Sequence, residues 1–126
     1  MPTAEIEEFA KILVRQVRDA AVRSCDRQLQ PAARSPVATR WRDEGVQGPS
    51  GNVVIPDCVD ETVFHLLQAV DQGLLRITFV ASNGKTVDLA QEGLGELSGW
   101  YMGSGGWRAM YSEERFADDF SDLAQP

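Results

Sequence analysis

Residues 75–89 read Leu-Arg-Ile-Thr-Phe-Val-Ala-Ser-Asn-Gly-Lys-Thr-Val-Asp-Leu, two short apolar-polar alternations separated by a turn signal, and this reading separates an α+β fold from an all-helical one. A two-residue Asn83-Gly84 turn would set Phe79 against Asp88 and send Val87 to the other face. A three-residue loop, Ser82-Asn83-Gly84 with Gly84 left-handed, pairs Phe79 with Val87 and Ile77 with Leu89, so four apolar side chains share one face. The three-residue loop is therefore expected. A lone hairpin is marginal in water, so helices, or a third strand drawn from Val53 to Ile55, must cover that face.

Upstream, Asp57 or Asp60 opens a helix in which Val59, Val63, Leu66, Leu67, Val70 and Leu74 share a side, and Gly73 supplies a left-handed stop. His65 falls on the far, solvated side. Val53-Val54-Ile55 reads as a brief extended piece ended by Pro56, and residues 45–52 read as a mobile loop. Ser35 followed by Pro36 is a cap followed by the residue best suited to the first helical position; Val37 and Trp41 lie one turn apart, and Gly45 ends that short helix. At the start of the chain, Thr3 caps and Glu5, Glu7 and Glu8 complement the positive end of a long helix running to about Gln28. Its regular periodicity places Ile6, Phe9, Ala10, Leu13, Val17 and Ala20 inward and Lys11, Arg15 and Arg18 outward.

Downstream, residues 90–102 carry helical spacing at Leu94, Leu97 and Tyr101. Gly93, Gly95 and Gly99 interrupt it, each costing about 1 kcal/mol against alanine in a helix interior. Residues 100–108, Trp-Tyr-Met-Gly-Ser-Gly-Gly-Trp-Arg, then crowd aromatic rings around three glycines. Ser112, Glu113 and Glu114 begin a last helix with Phe116, Phe120 and Leu123 inward. The expected fold is α+β: one helix-rich domain over residues 1–126, with a long N-terminal helix, a central helix, one antiparallel β-hairpin and two C-terminal helices.

Composition bounds the function. Hydrophobic residues at 43% and charged residues at 25% are ordinary globular values. No apolar run approaches the roughly 20 residues of a membrane span, and the acidic start lacks a secretory pattern, so a cytoplasmic location with reduced Cys25 and Cys58 is expected. The net charge of −7 disfavours nucleic acid. That charge is polarised, since residues 11–42 carry eight basic side chains against two acids, and residues 43–126 carry fourteen acids against four basic groups.

No catalytic set is legible. Cys58 and His65 are seven apart, and Cys25, Asp57, Asp60 or Glu61 would have to converge on them to hold a metal, a pattern without the short paired spacing of zinc sites. The glycine-rich turn matches neither phosphate-binding fingerprint. No cofactor or metal ligand is assigned. The candidate binding residues are Trp41, Trp100, Tyr101, Gly103, Ser104, Gly105, Gly106, Trp107 and Arg108, because exposed tryptophan, tyrosine and arginine anchor protein partners. Large aromatics also fill cores, and for Trp100 and Trp107 packing in a tight corner is the favoured reading, less so for Trp41.

Several short stretches, Ile55-Pro56-Asp57, Asp60-Glu61-Thr62, Ala81-Ser82-Asn83-Gly84, Gly99-Trp100-Tyr101-Met102-Gly103, Trp107-Arg108 and Tyr111-Ser112, together resemble a family of small uncharacterised bacterial proteins. The resemblance runs from about Ile55 to Leu123, with a weaker extension over residues 35–42. It implies a bacterial, cytosolic, single-domain protein and transfers no activity. The functional expectation is an acidic protein-binding module of the toxin-neutralising kind that meets a partner with a basic surface through residues 90–102 and 112–123. The competing expectation is a small-molecule or anion-binding protein or enzyme using residues 100–108. Self-association through the aromatic patch, giving a homodimer, is the third.

Overall fold

The computed structural model describes residues 3–46 and 48–119. Helix α1 (Ala4–Ile12) continues through a π-helical turn (Leu13–Arg18) into α2 (Asp19–Gln28), making one long N-terminal rod. Then come α3 (Pro36–Asp43), the central α4 (Gly48–Asp71), strands β1 (Thr78–Val80) and β2 (Thr86–Asp88), and the short helices α5 (Leu89–Glu92), α6 (Leu97–Met102) and α7 (Trp107–Tyr111). The rod and α4 pack together, and α6 and α7 close the core against both. Among the described residues no helix is long and apolar enough to cross a membrane.

Local chemistry set several boundaries as expected. Thr3 Oγ1 accepts from the Ile6 amide at 3.2 Å, and Ser35 Oγ accepts from Ala38 at 3.0 Å. Gly73 and Gly84 are left-handed, at φ +76° and +86°. The hairpin pairs Thr78 with Asp88, Phe79 with Val87 and Val80 with Thr86, which is the register of the three-residue loop. Its inner face covers α1, where Phe9 meets Phe79 edge-on with centroids 5.7 Å apart.

The π turn overturns the predicted face of the rod. The Asp19 amide donates to the Val14 carbonyl, five residues back, so one extra residue is wound into the helix and the inward stripe advances by one position. Ile6 and Ala10 point inward before the turn, Leu13, Val14 and Arg18 within it, and Asp19 and Val22 after it. Val17, expected inside, is 51% exposed, whereas Arg18, expected outside with Lys11 and Arg15, is 0% exposed.

The central helix also begins earlier than expected. Residues 48–55 are helical, so Val53-Val54-Ile55 is no strand, and residues 48–52 form the helix's first turn in place of a loop. Pro56 sits inside this helix and has no amide to give to the Asn52 carbonyl four residues back. Arg115 Nε donates to that carbonyl at 2.9 Å instead, while the same guanidinium grips both Asp26 oxygens at 2.9 Å. The proline is thus accommodated by a side chain 59 positions further along the chain. Leu66 and Leu74, read as inward, are exposed.

The helix expected over residues 90–102 is broken into α5 and α6, with Leu94 and Gly95 both left-handed between them. The Asp71 carboxylate at the end of α4 accepts from the Leu97 and Ser98 amides at 2.9 Å each, supplying the cap that α6 lacks locally. The last helix is displaced as well. It is α7, and residues 112–119 are irregular. The predicted inward positions Phe120 and Leu123 lie outside the described residues.

Candidate functional site

Two places in the molecule concentrate chemistry. The first is a buried ionic cluster created by the π turn. Arg18 donates from Nε and Nη2 to the two oxygens of Asp60 at 2.9 and 3.2 Å, and from Nη1 to Asp19 at 2.9 Å. Arg108 Nη1 reaches the same Asp60 at 2.9 Å, and the Tyr101 hydroxyl donates to it at 2.6 Å. Asp19 in turn accepts from the Ser112 hydroxyl at 2.9 Å and the Glu113 amide at 2.7 Å.

Two cations and two anions, each no more than 3% exposed, therefore balance inside the core. Burial opposes the charge on Arg18, but its hydrogen bonds to Asp60 and Asp19 outweigh it and raise its pKa. Burial, then the bond to Asp60, holds the Tyr101 hydroxyl protonated far above the usual phenol range. Every Asp60 oxygen has two donors. Arg108 Nε is buried without a hydrogen-bond partner among the described residues, and its guanidinium lies over the Phe116 ring at 4.8 Å. The cluster joins the π turn, α4, α6 and α7, and its geometry is that of a tie between elements.

The second place is a cleft between α3 and the start of α4. Gly45, at φ +78°, reverses the chain after α3, and the Val46 amide closes the helix end by donating to the Trp41 carbonyl at 2.9 Å. Gly51 allows α4 to lie against Leu29, since a Cβ there would stand 2.5 Å from Leu29 Cδ1. Trp41, one turn beyond the buried Ala38, is left partly exposed as a wall.

On one side of Trp41 opens a cleft of about 380 Å³ whose apolar lining includes Val46, Val54 and Ile55. On the other lies one of about 290 Å³ bounded by Gln28, Pro31, Ala38 and Arg42. The two share Trp41, Gly45 and Val46. Volumes of this size suit one or two bulky apolar groups.

The sequence-predicted site residues separate into two groups. Trp41 lines this cleft. Residues 100–108 span the end of α6, a glycine-rich turn and the start of α7; Tyr101 is 0% and Trp107 1% exposed, and the Trp100 and Trp107 rings lie 6.0 Å apart. Gly103 and Gly106 pass so close to backbone that a Cβ would meet the Gly99 carbonyl oxygen at 2.7 Å and the Trp100 carbonyl oxygen at 2.2 Å respectively. Ser104 and Gly105 are exposed at the turn's tip, and Arg108 is consumed by Asp60 and by the Met102 carbonyl at 3.1 Å.

Cys25 and Cys58 are free thiols, the former partly buried with its pKa raised by burial. His65 is exposed beside Glu61. No three His, Cys, Asp or Glu side chains gather into a metal-binding group among the described residues. The partners of Trp41 in the cleft, Val46 and Val54, fall in segments whose sequence reads as a loop and a strand; a valine inside the glycine-rich stretch after α3 is the one signal the sequence offers. Comparison with protein-family models finds no match, and comparisons with curated proteins and with solved structures find none either.

Proposed function

We propose that the chain is a protein-binding module that receives a bulky apolar side chain of a partner in the cleft beside Trp41. The observation that carries this reading is an open, apolar concavity of about 380 Å³ walled by a partly exposed tryptophan. Exposed Val46, Val53 and Val54 extend the apolar surface to the rim and beyond it. Tryptophan in such a setting is the residue type most enriched among energetic anchors of interfaces. The buried ionic cluster, by contrast, is closed to solvent and presents no surface to a partner.

Selection of a displayed random 12-residue peptide library against the intact protein tests the proposal. Enriched peptides should lose binding to Trp41→Ala and to Val54→Asp while far-UV circular dichroism stays unchanged. Failure to enrich any peptide would count against it. The competing reading, a small-molecule site, draws on the same cleft volume. A thermal-shift screen yielding ligands that Trp41→Ala no longer binds, without peptide enrichment, would favour that reading. Toxin neutralisation is one form of the proposed module, and a toxin gene beside this one is the observation that would single it out.

A further inference from the structure

Residues 27–42 contain Arg27, Arg34, Arg40 and Arg42 and no carboxylate, although the chain as a whole carries −7. Arg42 borders the smaller of the two clefts that share Trp41, on the side away from Val54, and Arg34 meets it at the Ala33 carbonyl. Arg34 Nη1 donates to the Ala33 carbonyl at 3.2 Å and to Pro31 at 3.0 Å, and Arg42 Nη2 donates to the same Ala33 carbonyl at 2.9 Å.

One carbonyl oxygen therefore holds two guanidinium groups side by side, and both residues are exposed. Among the described residues none of these four arginines has a carboxylate within ion-pair distance, whereas Arg18, Arg23, Arg76, Arg108 and Arg115 all do. Of the acids nearest in sequence, Asp26 pairs with Arg115, and Asp43 and Glu44, at the end of α3, have no ion pair among the described residues. Two like charges held together without a counter-charge repel, and each guanidinium keeps free donors for an incoming anion.

We infer that the occupant of the Trp41 cleft is an acidic protein segment, with an apolar side chain seated between Trp41 and Val54 and a nearby Asp or Glu received by Arg34 and Arg42. The inference rests on the protein-binding reading above and adds the sign of the partner. The local field, in place of the net charge, then selects the ligand, because at physiological ionic strength charges more than about 8 Å away are largely screened. A partner with a basic surface would find this rim repulsive. Bidentate geometry favours a carboxylate, and the adjoining apolar slot favours a peptide over a bare anion.

The peptides enriched in the library selection provide the test. Their consensus should carry Asp or Glu within four residues of Phe, Leu, Ile or Trp. Replacing those acids by Asn or Gln should weaken binding about two- to fivefold, the upper part of the range expected for exposed charge pairs. The Arg34→Glu/Arg42→Glu variant should lose affinity by at least that factor and accept versions in which lysine replaces the acids. A consensus that is apolar without acids, or basic, would overturn this inference and leave the peptide-binding reading standing. No enrichment at all would remove both. An oligonucleotide bound through Arg34 and Arg42 with which the selected peptides do not compete would also overturn it, in favour of a phosphate ligand.

Discussion

Replacing Asp60 by Asn tests whether the buried cluster ties the fold together. The substitution keeps the side-chain shape but removes the one negative charge shared by Arg18 and Arg108, leaving two buried cations facing a single anion, Asp19. Breaking a buried pair from one side typically costs about 3–5 kcal/mol, because the abandoned charge stays desolvated. At roughly 2.1 cal/mol/K per residue, a chain of 126 residues unfolds with an entropy near 0.26 kcal/mol/K, so the midpoint should fall by about 12–19 °C.

Urea unfolding followed by circular dichroism, together with thermal melts, measures both quantities. The Asp60→Asn/Arg108→Met double variant restores neutrality, with Arg18 facing Asp19. It should therefore be more stable than the sum of the two single changes predicts, by about 1–3 kcal/mol. A cost below about 1 kcal/mol for Asp60→Asn, or strict additivity in the double variant, would refute the idea that these groups balance one another in a low-dielectric interior.

Because the π turn rotates the rod, Val17→Lys should change stability by no more than about 0.5 kcal/mol, whereas Val14→Lys should leave little folded protein; the reverse order in urea melts would restore the regular helix. In the glycine-rich turn, Gly106→Ala should cost about 1–3 kcal/mol, since its Cβ would stand 2.2 Å from the Trp100 carbonyl oxygen. Gly99→Ala, with nothing within 4 Å of its Cβ, should instead gain up to about 1 kcal/mol in α6. Tyr101 binds its proton more tightly in the folded state than in the unfolded one. Its contribution is therefore complete below the unfolded phenol pKa, about 10, and is lost as pH rises beyond it. Urea midpoints between pH 8 and 11.5 should fall more steeply for the unaltered protein than for Tyr101→Phe, and parallel curves would count against it.

The sequence was legible wherever the decisive interaction was local. Thr3 and Ser35 each reach an amide three residues on, and Gly73 and Gly84 each satisfy a backbone need at their own position, so composition and spacing alone placed those boundaries. The hairpin register followed from two-residue periodicity, because a slip by one residue would have exposed Val87 and Leu89. The fold class rested on these signals and on the long apolar stripes of the rod and α4. The aromatic turn was legible as a packing corner, because glycines beside large rings signal close approach, and Tyr101 and Trp107 are buried there.

Tertiary structure alone decided the rest, and in each case the controlling partner lies far along the chain. The rod takes up a π turn that carries Arg18 into the core, where its counter-charge is Asp60, 42 residues away. Pro56 stays helical where its missing bond is replaced by Arg115, and α6 starts where Asp71 can cap it from α4. The cleft exists only because Trp41 and Val54, on different helices, face one another across the reversal at Gly45. Local propensities differ by about 1 kcal/mol per residue. A buried charge or an unsatisfied backbone group costs several times more, so once the chain is compact the long-range partners prevail.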